Sequence, residues 1–224
     1  MFPGKSCPRE RAGDLMKNDA IRLILASGSQ TRLKLLKQSG IECACYPASV
    51  DEDGLKSHWK AEGRNVREVA LKLAEEKACL VASQRCAQMS SEEHCLIIGA
   101  DQMLECEGAW FDKPLNLDAA GAQLRSLRGR THVLHSAVVL LDRTEIVWRH
   151  LSHATLTMRM FSDRFIEKYL QQEAENCLQC VGAYRVEGPG GQLFEHVGGD
   201  YSTILGLPLL PLLGELRKRD VLEF

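Results

Sequence analysis

Short apolar runs alternate along this chain with longer stretches in which apolar residues recur every three or four positions. That alternation predicts strands interleaved with helices. Ile21–Ala26 reads as a first strand, Ser27–Gln30 as a tight loop of small residues, and residues 31–39 as a helix striped by Leu33, Leu35 and Leu36 and stopped by Gly40. Residues 41–49 are expected to form a second strand running into a turn at Val50–Gly54. Val66, Val69, Leu73 and Leu80 predict a long helix from Arg64 to about Cys86. The run Leu96-Ile97-Ile98 suits a strand covered on both faces, ending in Gly99-Ala100 and the carboxylate of Asp101. Glu107-Gly108 predicts a hairpin turn, which folds Asp112-Lys113-Pro114 back beside Asp101. A helix over Leu117–Leu127 follows, then two long partner strands, Thr131–Leu141 and Glu145 to about Met160, joined by a turn at Asp142–Thr144. Ser162 caps a helix over Asp163–Gln172. Val181–Gly188 is expected as a strand bounded by glycines, Leu193–Val197 as another, and Pro208 starts the last helix. The fold class is mixed α/β, since a long antiparallel pair excludes an all-parallel sheet.

The chain has 224 residues, 45% hydrophobic and 26% charged, enough to bury a core without a disulfide or metal. The first 19 residues are polar, carry Pro3, Gly4, Pro8 and Gly13, and are expected to be a flexible tail before a single domain over 20–224. They lack the apolar core of a signal peptide, and no run reaches membrane-spanning length. The net charge of −2 argues against a general nucleic-acid binder but leaves a small anionic substrate open. Nine cysteines without a second CxxC beside Cys177/Cys180 read as reduced thiols of a cytoplasmic protein. His132 and His135 differ in strand parity, as do His150 and His153, so the histidines read as structural or solvated. Leu209, Leu210, Leu212 and Leu213 could bury against the chain's own domain or a second copy, leaving a homodimer open.

Strand, small-residue loop and helix aim backbone N–H groups at an anion. Ser27, Gly28 and Ser29 are therefore candidate phosphate contacts, and Arg32 in the first helical turn is unfavourable for the helix dipole unless an anion sits there. The alternative is a plain N-cap at Ser29 and a solvated arginine. Asp51-Glu52-Asp53 before Gly54 is either a solvated turn or an oxygen-rich cation site. Asp101 either starts a turn or sits where ligands of open sheets bind, beside the ammonium of Lys113. Lys77 is one of several lysines on its helix, and periodicity alone does not give its direction.

Taken together, LASGSQTR, VDED, LAEEKA, IGADQ, DKP, LRGRTH, VGAYRVEG and GDYSTILGLPL, in this order from about Leu23 to Arg217, resemble the Maf (septum-formation) family of nucleoside triphosphate pyrophosphatases. The resemblance implies an elongated, curved mixed sheet with flanking helices and a deep cleft between two lobes. It also implies hydrolysis between the α- and β-phosphates of a nucleoside triphosphate, with Mg²⁺ or Mn²⁺, in house-cleaning of non-standard nucleotides. By position it implies phosphate binding by Ser27 and Arg32, catalytic roles for Glu52, Lys77 and Lys113, a proton acceptor at Asp101, and Glu52 with Asp101 toward the metal. Gln102 and Glu187 look like the branch acting on 7-methyl-GTP, while Thr31 stands where that branch has an aromatic residue. A purine is therefore expected over dTTP or UTP. A non-catalytic, nucleotide-binding regulator of cell division is the competing class.

Overall fold

A computed structural model describes residues 21–85 and 94–223. The expected tail and the helix end at Cys86 lie outside the described residues. β1 (Arg22–Ala26), β2 (Ala44–Cys45), β3 (Cys95–Cys106), β4 (Ala109–Phe111), β5 (Thr131–Asp142), β6 (Glu145–Met158) and β7 (Phe194–Gly198) form one mixed sheet. Its order is β2-β1-β3-β5-β6-β7, with β4 also on β3. β1 runs parallel to β2 and β3, and the other neighbours are antiparallel.

The apolar run of β3 is buried because helices cover both faces. On one side α2 (Glu52–Ala61) and α3 (Val66–Arg85) bring Trp59, Val69, Leu73 and Val81 onto Ile24, Ile97, Val139 and Leu141. On the other, α1 (Gln30–Gln38) and α7 (Leu209–Lys218) pack Leu36, Leu212 and Leu216 onto Leu25, Leu96, Ile98 and Leu140. A separate core gathers α4 (Leu117–Leu127) and α5 (Asp163–Glu173) around Leu104, Leu134, Leu156 and Met158, at the far halves of the same long strands. The molecule is thus two lobes threaded by β3, β5 and β6. The leucines of α7 divide: Leu212 is buried in its own lobe, while Leu210 is 67% exposed.

The lobes meet at a fork in the sheet. β1 pairs with β3 from Arg22↔Cys95 to Ala26↔Gly99, and β4 pairs with it from Leu104↔Phe111 to Cys106↔Ala109. Between those stretches β3 has β5 on one side only, and the unaccompanied residues include Asp101 and Gln102. Asp101 therefore does not end its strand, as its sequence suggests. It lies inside a 12-residue strand, opposite Ala137, and what ends there is the neighbouring strand β1.

Three other expectations are corrected. Only Ala44–Cys45 of the second predicted strand pairs. The acidic turn at 51–54 is the start of α2, with Asp51 as N-cap accepting from the Gly54 N–H at 3.1 Å. Val181–Gly188 is not a strand: 3₁₀ turns occupy 174–179, 181–183 and 189–193. Gly182 (φ 77°) and Ala183 (φ 61°) take left-handed backbone in succession, which an extended strand cannot accommodate. The predicted hairpin is present, with positive φ at both Glu107 and Gly108, as a type I′ turn requires.

Gly99 marks the closest approach of β3 to α3. A Cβ there would lie 2.2 Å from the Ala74 carbonyl oxygen and 2.9 Å from both Ala78 Cβ and Val139 Cγ2. Gly99→Ala should destabilise the protein by about 1–3 kcal/mol in urea unfolding. Gly214→Ala, where the added Cβ meets nothing within 4 Å, should instead stabilise α7 by roughly 0.5–1 kcal/mol. Equal midpoints for Gly99→Ala and the parent would contradict this packing.

Candidate active site

A cavity of about 460 Å³ opens at the fork, lined from both lobes. After β1 ends, Ser27-Gly28-Ser29 turns the chain into α1, with Ser29 as the N-cap. Arg32 does not point to open solvent. Its guanidinium donates to the Gly206 carbonyl (2.8 Å), the Ser27 hydroxyl (3.0 Å) and the Ala100 carbonyl (3.0 Å). The last of these is a strand carbonyl of β3 beyond the final β1 pair, so Arg32 takes the place of a missing strand donor. Burial pulls the guanidinium pKa down, and Asp101 and Glu52 oppose that pull.

Asp101 and Lys77 face each other across the α3–β3 packing. They are 4% and 7% exposed, with Nζ to Oδ1 at 2.5 Å. Lys77 also reaches Glu52 Oε1 at 2.8 Å; Glu52 Oε2 lies 3.4 Å from Lys56, and Lys56 is 2.5 Å from Asp112 Oδ1. Acid and base thus alternate along a chain, Asp101–Lys77–Glu52–Lys56–Asp112, drawn from four elements or their ends. Burial would raise the Glu52 pKa, but Lys77, then Lys56 and Lys113, hold it below the usual carboxylate value. Burial would lower that of Lys56, yet Asp112, Glu52 and Asp101 raise it. Lys113 lines the cavity without an ion pair within 4 Å among the described residues.

The opposite wall comes from the 3₁₀ segments and α6 (Tyr201–Ile204). The Gln102 amide nitrogen donates to the Ser136 hydroxyl (2.9 Å) and the carbonyls of Thr203 and Ile204 (3.1 Å each). Two carbonyls and a serine whose own proton goes to Thr203 O fix the amide orientation and leave its oxygen as the acceptor. Glu187 lines the same wall, its Oε1 3.5 Å from Arg185 Nε. Tyr184 is buried here, its hydroxyl 2.8 Å from His132 Nε2; burial holds His132 neutral, with a pKa near 4. Cys180 also lines the cavity, and burial pushes its thiol up to about 11, which leaves it protonated.

Of the residues singled out by sequence, Ser29, Thr31, Arg32, Glu52, Lys77, Asp101, Gln102, Lys113 and Glu187 line this one cavity. Ser27 and Gly28 do not; Ser27 is buried and acts on the cavity through its hydrogen bond to Arg32. Sequence reasoning missed Lys56, and it placed Asp112 beside Asp101 without giving it a role. The signal was present in Glu52 and Lys56 at helical i, i+4 spacing, but the stretch read as a turn.

The cavity's charge favours an added cation. Asp51, Glu52, Asp53, Asp101, Asp112 and Glu187 outnumber Arg32, Lys56, Lys77 and Lys113. Asp101 Oδ2 is buried without a hydrogen-bond partner, a donor suited to a hard divalent ion. No cluster of three or more His, Cys, Asp or Glu fit to hold a metal occurs among the described residues. The donor set therefore fits an ion that takes one or two carboxylates and fills its remaining positions from phosphate and water, as Mg²⁺ does.

The Maf-like protein family profile matches residues 22–219. The chain is 46% identical over 202 residues to the nucleoside triphosphate pyrophosphatase of Granulibacter bethesdensis, covering 90% of this chain and 99% of that protein. It is 47% identical over 199 residues to the same-named protein of Paramagnetospirillum magneticum, covering 89% and 99%. It is also 44% identical over 201 residues to the 7-methyl-GTP pyrophosphatase of Rhizobium meliloti, covering 90% and 98%.

The depressed Glu52 pKa gives a signed pH dependence. Its ionised form is favoured by folding, so the pairing stabilises the protein above its ordinary value of 4.5 and is lost as pH falls through the lower folded value. Thermal midpoints followed from about pH 6 down to about pH 3 should therefore fall more steeply for the parent than for Glu52→Gln. Parallel curves would show that Glu52 titrates alike in both states.

Proposed function

This chain belongs to the Maf family, and from that premise we propose that it hydrolyses a nucleoside triphosphate between the α- and β-phosphates, releasing the monophosphate and pyrophosphate. The observation that carries the proposal is the buried Asp101–Lys77 pair facing, in one cavity, the anchored Arg32 and the free ammonium of Lys113. A pure nucleotide binder has no use for a buried acid directed at phosphate.

In this reading Lys113 and Arg32 take the phosphate chain, helped by the N-terminus of α1 beside Ser29 and Thr31. Lys77 fixes Asp101 through Oδ1, and Oδ2 is left to orient a water and take its proton as the water oxygen bonds to phosphorus. The bridging P–O bond then breaks, and the charge passing to pyrophosphate is met by the lysines. Glu52 and Asp101 would hold the divalent ion, Mg²⁺ or Mn²⁺, whose contribution is to neutralise the polyphosphate. Glu52 keeps Lys77 aimed through their 2.8 Å ion pair. The proposed setting is the reducing cytoplasm, supported by the free thiols of Cys43, Cys45, Cys79, Cys106, Cys177 and Cys180.

The base end supports a guanine-type edge. The Gln102 oxygen and the Glu187 carboxylate are both acceptors, and a guanine presents N1–H and N2–H₂ donors where uracil and thymine present one N–H between two carbonyls. Thr31 offers no aromatic face for stacking.

Asp101→Asn should cut pyrophosphate release by about 10²-fold or more while triphosphate binding persists, as read by pyrophosphate-release kinetics and calorimetry. Near-normal turnover would remove Asp101 from the mechanism. A panel of GTP, 7-methyl-GTP, ITP, UTP and dTTP with Mg²⁺ or Mn²⁺ should favour the purines; a preference for dTTP would overturn the base assignment.

A further inference from the structure

The outer wall of the cavity is a seam between α2 and β4 that the proposed chemistry does not use. Glu52, Lys56 and Lys60 recur every four residues and share one face of α2. Trp110 and Asp112, two apart, share one face of the strand end opposite. The two rows meet in register. Lys60 Nζ stands 4.7 Å from the centroid of the Trp110 ring, and Lys56 Nζ stands 2.5 Å from Asp112 Oδ1. On its other face α2 is held by Trp59, its one buried side chain, and the partly buried Leu55. From the other lobe, Gln123 of α4 donates to the Asp112 carbonyl at 3.0 Å. Residue 112 is thus gripped by its side chain from one lobe and by its backbone from the other, and the next residue is Lys113.

We propose that Lys56 is a positioning residue for triphosphate hydrolysis: by holding Asp112 it fixes the backbone from which Lys113 reaches the phosphates. The proposal rests on the pyrophosphatase reading above. Lys56 lines the cavity, and its ammonium lies closer to Asp112 (2.5 Å) than to Glu52 (3.4 Å), so Asp112 is the partner it holds most directly. The pair is a modest stability device: Lys56 is largely covered but the Asp112 side chain is 50% exposed, and water on one partner keeps such a pair on the order of 1 kcal/mol. What the clasp supplies is placement, and displacement of a binding group by about 1 Å costs up to about 10²-fold.

The test compares Lys56→Met, Lys56→Arg and Asp112→Asn with the parent. It uses steady-state kinetics on GTP, affinity for a non-hydrolysable α,β-methylene analogue of GTP, and amide hydrogen exchange of the peptide spanning residues 109–115. Lys56→Met and Asp112→Asn should each raise KM and weaken analogue binding by about tenfold. The pH profile of kcat should not move, exchange in 109–115 should quicken, and Lys56→Arg should stay near the parent. A deficit in Lys56→Met that is absent from Asp112→Asn would mean that Lys56 meets the substrate itself and would overturn the proposal. Unchanged exchange in 109–115 would overturn it whatever the kinetics. A parent that releases no pyrophosphate from any triphosphate would instead sink the pyrophosphatase reading, and the exchange result would still report on the clasp.

Discussion

Everything at the site follows from one edge of β3 having two different neighbours. β1 accompanies the first five residues of β3 and β4 the last three. A strand edge left open inside a protein carries unsatisfied backbone groups, which are costly when buried. The chain meets that cost with Arg32, whose planar fork joins Ala100 O, Ser27 Oγ and Gly206 O at once. The arrangement ties the first loop, the central strand and the segment after α6 to one cation. Cavity and cation therefore have a common cause, since the gap that admits a ligand is the gap that Arg32 must fill.

From that gap outward, charge alternates rather than accumulates. A row of bare lysines would attract phosphate but would repel itself in the absence of ligand and would lower its own pKa values. Interposing Glu52 between Lys77 and Lys56, and Asp112 beyond them, separates the ammonium groups with carboxylates; the Lys56 pKa is raised rather than lowered despite its burial. The cost of this arrangement is an acid excess along the cavity wall, which makes the cavity hospitable to an added cation. Lys113, without an acid partner among the described residues, is the cation with its charge uncommitted.

Legibility from sequence tracked the range of the interaction involved. β3 is readable because an apolar run flanked by breakers needs only local pattern, and the Glu107-Gly108 turn because its dihedrals depend on two residues. The end of β3 is not readable: Gly99-Ala100 looks like a stop, but Gly99 lacks a side chain because α3 passes close to it, a tertiary reason. The 181–188 segment misleads for the same cause. Its alternating pattern fits a strand, and only the packing of Tyr184 against His132, with Tyr169 donating to the Ala183 carbonyl, holds the left-handed pair. The site residues that belong to motifs were identified by their order along the chain. Lys56 belonged to none and became visible only once the acidic turn proved to be a helix start.

The Lys77–Asp101 pair makes the sharpest case that this interior is shaped for something other than stability. Lys77 sits on the face of α3 that elsewhere buries Val69, Leu73, Ala74, Ala78 and Val81. Asp101 sits on a strand that is otherwise mostly apolar and buried, with Ile97, Ile98, Ala100, Met103 and Leu104 all 1% exposed or less. Both are nearly inaccessible, and desolvating two ions costs several kcal/mol each, which their attraction recovers only with good geometry. A pair of apolar side chains of similar volume would pack there at no such cost. The chain also leaves Asp101 Oδ2 without a hydrogen bond, although a nearby hydroxyl or amide would satisfy it. A buried ion pair with one oxygen kept open is a poor way to hold a helix on a sheet. It is a good way to hold a carboxylate immobile and able to accept one more partner, and that partner must come from outside the protein's own hydrogen bonds.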